Sequence, residues 1–352
     1  MLWLLAGTLS PNDLSGQYMR QTLTSKLMAS LLSILPGHKI EEITKLPGRH
    51  SNEVYRIVLD LPRSAVVLKL YHGEDALSRA NAEASALLSL ESEPILTPRL
   101  LSHGESLSSA FGTPYTLQTW IPGDRADVVL QTGTQELRNT VGQLVGQIAH
   151  LIHSIKFQQY GSLSPSGPRF VTWLDFLLHN LDAGLAFCQR QNVIDSSYAK
   201  RCRNYVMERL ELIESPSPSF VHGDLVPVNV LLTLDKTGKL TAGIYDFEWS
   251  SAADPYWEFA QIQRTFFQIP GVKQPFLEEY FQYHSIPADF HQRLALYHIL
   301  EGVQFCSWAL LDPALRGEVK QAIESIQATI TKAGTGSNRH HQDLVIYYFC
   351  KI

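Results

Sequence analysis

Apolar residues recur at every fourth position at Leu23, Leu27, Leu31 and Leu35, so the stretch 17–35 is predicted to form an amphipathic helix closed by Pro36-Gly37. The period then shortens. From Ile40 to Leu70 the pattern predicts three strands, about 40–46, 53–60 and 65–71, and the turn-forming stretches 47–52 and 61–64 make them consecutive antiparallel hairpins. Helical spacing returns over 76–91, with Ala80, Ala84, Leu87 and Leu88 on the apolar side. Two more strands are predicted near 99–103 and 114–121, the second ended by Pro122-Gly123-Asp124. Five strands and one helix suffice for one α+β block, with a hinge expected at about 118–124.

After that point the pattern is mostly helical. Val141, Leu144, Val145, Ile148, Leu151, Ile152 and Ile155 form a long apolar stripe, and further helices are predicted at about 172–190 and 196–213. Pro216-Ser217-Pro218 interrupts the series, and a short strand–loop–strand unit is expected from Phe220 to Phe247. Helices resume at 257–268, 275–283, 288–312 and 316–332, while 334–341 reads as loop and 344–350 as either a strand or a short helix. The expected division is an N-terminal helical segment (1–37), a sheet-rich part with one helix (38–120) and a larger helical part (121–352).

Composition narrows the classes. A chain of 352 residues, 45% hydrophobic and 18% charged, can bury two sizeable cores more readily than one. Its 29 basic and 34 acidic residues leave a formal net charge of -5, which argues against a general polyanion binder, so no nucleic-acid partner is expected. Cys188, Cys202, Cys306 and Cys350 are widely spaced with no CxxC pair, which suggests reduced thiols in a cytoplasm rather than zinc ligation or a disulfide framework. The apolar stretch 1–6 meets Pro11-Asn12-Asp13 too soon for a secretory core, and no apolar run approaches membrane-spanning length, so no membrane partner is expected. A monomer or homodimer fits equally well.

Chemistry concentrates in Val221-His222-Gly223-Asp224-Leu225-Val226-Pro227-Val228-Asn229, where Asp224 precedes Asn229 by five positions between two apolar strand segments. In phosphoryl transfer such an Asp accepts the proton of the attacking hydroxyl and such an Asn holds Mg2+ on the phosphates, with His222 ordering the loop. Alone, an Asp and an Asn in a loop are turn formers. Ile244-Tyr245-Asp246-Phe247-Glu248 follows, a strand ending in an acid that can hold the same metal. Upstream, Lys69 lies inside the apolar run 66–70, and Glu83 on the next helix is a candidate partner, as when a kinase pairs its strand lysine with a helix glutamate. Ser51 and Asn52, in the turn 47–52, are candidate phosphate donors. No GxxxxGK[ST] occurs, which disfavours a P-loop.

The order Lys69, Glu83, His222-Gly223-Asp224 with Asn229, then Asp246, resembles the aminoglycoside phosphotransferase and choline kinase-like families over about residues 38 to 310. Ala253-Asp254-Pro255-Tyr256-Trp257-Glu258-Phe259-Ala260 is similar to the Gly-Asp-Pro-x-x-Asp-Leu-Ala segment of that family, with Glu258 and Ala253 as departures that touch a structural contact to the catalytic loop. The resemblance implies a two-lobed protein kinase-like α+β fold, a five-stranded antiparallel N-lobe and a mainly helical C-lobe. It also implies ATP as donor, Mg2+ held by Asn229 and Asp246, and adenine received along Gln118, Trp120 and Ile121. Lys69 would neutralise the α- and β-phosphates, Glu83 would orient Lys69, and Asp224 would deprotonate a hydroxyl of a small-molecule acceptor.

Aminoglycosides are one acceptor class. A cellular metabolite such as homoserine, choline or a sugar is another, and a catalytically silent nucleotide-binding pseudokinase is the reading from outside the enzymes. His150 and His153 read as core or boundary residues, Trp173, Trp257 and Trp308 as core, and His340-His341 as a loose tail. Asp175, Asp182, Glu248, Asp254, Glu278 and Glu279 are candidates for holding a cationic acceptor, each with a solvated face as the plainer reading.

Overall fold

A computed structural model describes residues 27–47, 52–60, 64–107, 112–210, 215–313 and 315–334. The expected features at Ser51, at 1–26, at Cys350 and beyond 334 lie outside the described residues. The chain divides into two compact units, Met1–Ala80 with Leu100–Trp120, and Asn81–Arg99 with Ile121–Ile352.

The first unit is a five-stranded antiparallel sheet in the order β1-β2-β3-β5-β4, from β1 (Ile40–Lys45), β2 (Glu53–Leu59), β3 (Ser64–Leu70), β4 (Leu100–Gly104) and β5 (Tyr115–Thr119). Alternation of side chains along a strand sends successive residues to opposite faces. Val66, Leu68 and Leu70 of β3 and Tyr115 and Leu117 of β5 therefore share one face, where Leu27, Leu31 and Leu35 of helix α1 (27–34) and its end close the core. Lys69, Thr116 and Gln118 fall on the other face, and all three are buried. The strands and helices predicted up to residue 120 agree with those observed within one or two residues.

Helix α2 (Ala76–Leu90) carries the chain towards the second unit, which holds β6 (Asp124–Arg125), α3 (Ala126–Thr132), α4 (Gln135–Ser154), β7 (Tyr160–Ser162), β8 (Arg169–Phe170), α5 (Trp173–Arg190) and α6 (Ser196–Leu210). There follow β9 (Ser219–Val221), β10 (Val230–Leu234), β11 (Leu240–Ile244), β12 (Ser251–Ala253), α7 (Trp257–Arg264), α8 (Lys273–Tyr280), α9 (Phe290–Ala309) and α10 (Val319–Gly334). The Thr134 and Thr172 hydroxyls accept from the amides of Leu137 and Asp175, capping α4 and α5. Helix α8 lies against α4 where Gly142 and Gly146 leave room: a Cβ on either would sit 2.5 Å from the carbonyl oxygen of Val272 or Phe276. A second core joins α5, α6, α9 and α10 around Phe176, Leu181, Tyr205, Tyr297, Leu300 and Val303.

Two small sheets support the loop region, β11-β10-β6 and β8-β7-β12-β9. The strands β6, β7, β8 and β12 and the short helix α3 have no counterpart in the sequence reading, because two or three residues give no periodicity to detect. Trp308, expected in the core, is 39% exposed at the end of α9, whereas Trp173 is buried as expected. Among the described residues no helix is long and apolar enough to cross a membrane.

Candidate active site

Strand β9 ends at Val221 and the chain turns at Gly223, whose φ of +80° is the left-handed region that glycine occupies without steric cost. A Cβ there would run into the Trp249 carbonyl. Asp224 follows, half-buried, and the 3-10 turn Pro227–Asn229 brings Asn229 back beside it. Asn229 Nδ2 donates to Asp224 Oδ2 at 2.7 Å and to the Asp224 carbonyl at 2.9 Å. Gln261 Nε2, on α7, donates to Asp224 Oδ1 at 2.7 Å. The carboxylate thus has one donor on each oxygen, which fixes its plane and leaves further acceptor capacity on both.

Burial pushes the Asp224 carboxyl above its ordinary range and the charge of Asp246 adds to this, while His222 and the hydrogen bonds from Gln261 and Asn229 oppose them. His222 Nδ1 accepts from the Asp224 amide at 3.2 Å, so its Nε2 carries the hydrogen given to the Tyr245 carbonyl at 3.1 Å. The same ring lies 4.6 Å from that of Phe247, which is fully buried. His222 thereby ties the Asp224 loop to the segment that carries Asp246.

Glu258, on α7 one turn before Gln261, holds the loop from beneath. Its Oε1 accepts from the Gly223 amide at 2.8 Å, and its Oε2 from the His222 amide at 3.1 Å and from His153 Nε2 at 3.0 Å. His153 Nδ1 in turn meets the Tyr280 hydroxyl at 2.9 Å. Burial pushes the Glu258 carboxyl up, but the hydrogen bond and charge of His153, the charge of His222 and the His222 amide outweigh it and hold the group below its ordinary value. His153 is buried as the sequence suggested, yet it acts on the loop through Glu258. Sequence spacing could not pair them, since 105 residues separate the two.

Asp246 has a φ of +72°, a left-handed conformation that Asp tolerates better than most side chains. Its carboxylate lies in a group with those of Glu83 and Glu248, all three offering oxygens within 4.8 Å of one another. This donor set is all oxygen and carboxylate-rich, as a hard divalent cation such as magnesium requires. Asn229 adds an amide oxygen that receives no hydrogen bond among the described residues, because its Nδ2 faces Asp224. Glu83, expected from the sequence to orient Lys69, belongs with this acidic group in the second unit.

In the first unit Lys69 Nζ lies 5.1 Å from the centre of the Tyr71 ring, and the Tyr71 hydroxyl meets Thr116 Oγ1 at 3.1 Å. Gln118 Nε2 approaches the same oxygen at 3.4 Å. Asn52 Oδ1 accepts from Arg79 Nη1 at 2.9 Å, with Arg79 also paired to Asp75 at 3.0 Å. Trp120 follows β5, its amide donating to the Ala65 carbonyl, and its ring faces the Arg56 guanidinium at 5.2 Å; Ile121 opens the second unit.

The model of the phosphotransferase enzyme family matches residues 42–297, which include both the acidic group and the Asp224 loop. The chain belongs to that family. This phosphotransferase is a small-molecule kinase with an alcohol group as acceptor. It is similar in fold to the aminoglycoside phosphotransferase APH(4)-Ia, with a TM-score of 0.65 and 16% identity over 88% of this chain and 98% of the other. A thermostable variant of that enzyme, in ternary complex with ADP and hygromycin B, matches at 0.65 and 18% over 89% and 99%. A Haemophilus somnus 129PT protein provisionally named fructosamine-3-kinase matches at 0.62 and 16% over 87% and 96%. No match to a curated protein sequence is found.

One expectation about the phosphotransferase is corrected by its structure. Asp254, weighed as a solvated acid or a contact for a cationic acceptor, is fully buried; its Oδ2 accepts from Arg293 Nη1 at 2.7 Å and from the Tyr297 hydroxyl. It spends its charge inside the fold. Gln261 was absent from the sequence reading, where a glutamine one turn after Glu258 carries no signal of its own.

Proposed function

We propose that the enzyme transfers the γ-phosphoryl group of ATP to a hydroxyl of a small molecule, with Asp224 as the group that orients and deprotonates that hydroxyl. The observation that carries this reading is the Asp224 carboxylate, held at 2.7 Å by both Asn229 and Gln261 with acceptor capacity to spare. A carboxylate placed this way can receive a hydroxyl proton as the oxygen attacks, and its raised proton affinity matches that task. Asn229 and Asp246 are assigned to hold Mg2+, with Glu83 and Glu248 close enough to Asp246 to share the load. When bound, magnesium neutralises and aligns the phosphate oxygens.

Lys69, buried on the polar face of its sheet, is assigned to the α- and β-phosphates, and Asn52 to the phosphates from the start of β2. Gln118, Trp120 and Ile121 are assigned to the purine, their side chains or backbone amides lying on β5 and the link after it. That the similar APH(4)-Ia variant holds ADP and hygromycin B supports a nucleotide donor and a small-molecule acceptor here. The fructosamine-3-kinase-like structure supports a second reading, in which the acceptor is a cellular sugar derivative. The described cysteines, Cys188, Cys202 and Cys306, are buried free thiols, consistent with a cytoplasmic enzyme.

The test is ADP release from magnesium-ATP by the purified protein with aminoglycosides, sugars, choline and homoserine as acceptors. Acceptor-dependent release that falls at least a hundredfold in Asp224→Asn, with nucleotide binding retained, is the expected result. A folded Asp224→Asn protein with full turnover would falsify the assignment.

A further inference from the structure

The hydrogen bonds around Asp224 also bear on what the acceptor looks like, taking as given the reading of Asp224 as the group that receives the hydroxyl. An ionised carboxylate accepts and cannot donate, so the Gln261 amide must present its Nε2 to Asp224 Oδ1, as observed at 2.7 Å. That fixes where the other end of the amide goes. Gln261 Oε1 lies beside the Asp224 carboxylate, receives no hydrogen bond among the described residues, and is not enclosed by them. Gln261 itself is half-buried, and its backbone is held by α7, the Gln261 carbonyl accepting from the Thr265 amide at 3.1 Å and the Thr265 hydroxyl at 2.9 Å.

The site therefore presents two neighbouring acceptors and no donor at that edge: the remaining lone pair of Asp224 Oδ1 and the carbonyl oxygen of Gln261. A hydroxyl that donates to Asp224 brings with it whatever its carbon skeleton carries next door. A carbon bearing only hydrogen there would leave Gln261 Oε1 facing an apolar group once water is displaced, which costs free energy. A second hydroxyl or an ammonium on the adjacent carbon would meet it.

We infer that the acceptor of this phosphotransferase carries a hydrogen-bond donor on the carbon next to the attacked hydroxyl, as a vicinal diol or a 1,2-amino alcohol does, and that Gln261 Oε1 receives it. This excludes choline, whose quaternary nitrogen has no N–H, and homoserine, whose adjacent carbon carries only hydrogen. It favours sugars and aminoglycosides.

The experiment measures ADP release with two sets of acceptors: hygromycin B, kanamycin, D-ribose and ethanolamine against choline, homoserine, 1,3-propanediol and ethanol. Wild-type enzyme should turn over acceptors of the first set in preference to the second. In Gln261→Met, similar in shape but without the amide, kcat/KM for the preferred acceptor should fall about tenfold beyond any fall for its poorest competitor, so that the preference narrows while the KM for ATP stays within about twofold. Gln261→Leu repeats the measurement with a second side chain, and thermal melting shows that both variants are folded. A best acceptor from the second set, a preference unchanged in both variants, or no turnover of any first-set acceptor overturns the inference. The underlying assignment fails separately, if Asp224→Asn keeps its turnover.

Discussion

The buried carboxylate of Glu258 offers a direct measure of how firmly the Asp224 loop is held. In Glu258→Gln the side chain keeps its size, but one acceptor oxygen must replace two, and the amide nitrogen is forced to face a donor: the His222 amide, the Gly223 amide or His153 Nε2. The Gly223 amide is at an exposed residue, where water can take over. His222 and His153 are buried and have no such recourse. A hydrogen bond to a charged group contributes about 1.5–3 kcal/mol, and a buried donor left unpaired costs about 1–3 kcal/mol, so the loss should be about 3 kcal/mol. Glu258→Ala, which also leaves a cavity and strands His153, should cost about 4–5 kcal/mol. For a unit of this size each kcal/mol moves the midpoint by about 2–4 °C, which predicts a melting temperature lower by roughly 6–12 °C for Glu258→Gln. Calorimetry or circular dichroism reads this shift, and a cycle with His153→Gln isolates the pair, with about 1.5–3 kcal/mol of coupling expected. A Glu258→Gln midpoint within about 2 °C of wild type, together with additive single and double variants, would refute the clamp.

The remaining predictions concern acid, packing and metal. Because the folded state holds the Glu258 carboxyl below its unfolded value of 4.5, the contribution of this group is fully present above that pH and is lost as pH falls through the lower folded value. Wild-type stability should therefore drop more steeply than that of Glu258→Gln in acid titration below about pH 4.5; parallel curves would contradict the assigned ionisation. Gly146→Ala places a Cβ 2.5 Å from the Phe276 carbonyl oxygen and should cost about 1–3 kcal/mol in urea unfolding despite the better helix propensity of alanine, whereas a stabilised variant would mean that α8 can shift freely. Asp246→Asn should abolish the magnesium-dependent rise in melting temperature seen with a non-hydrolysable ATP analogue while leaving the metal-free midpoint within about 2 °C; retention of the rise would move the metal elsewhere.

The elements that sequence located well are those whose side chains repeat. The stripe from Val141 to Ile152 and the alternation through Val66, Leu68 and Leu70 each report a face, and the structure shows both faces buried. The Asp224 to Asn229 spacing was legible for a different reason: both residues stand on one turn, so their contact is local and survives in the linear text. Contacts that join distant segments were not legible. Gln261 reaches Asp224 across 37 residues and His153 reaches Glu258 across 105, and neither residue type marks itself out in an ordinary helix. Asp254 misled for the converse reason. An isolated Asp in a loop reads as solvated, and only the fold supplies Arg293 and Tyr297 to bury it.

Glu258 and Gln261 lie one turn apart on α7, the first gripping the backbone of the Asp224 loop and the second its carboxylate. At 3.6 residues per turn, inserting or deleting one residue between them would swing Gln261 by about 100° and take its amide away from Asp224. Substitutions elsewhere on the helix surface change no such phase. In laboratory evolution towards a new acceptor, α7 should therefore accept point changes but reject every change of length between Trp257 and Arg264, with insertions confined to the connections that surround it.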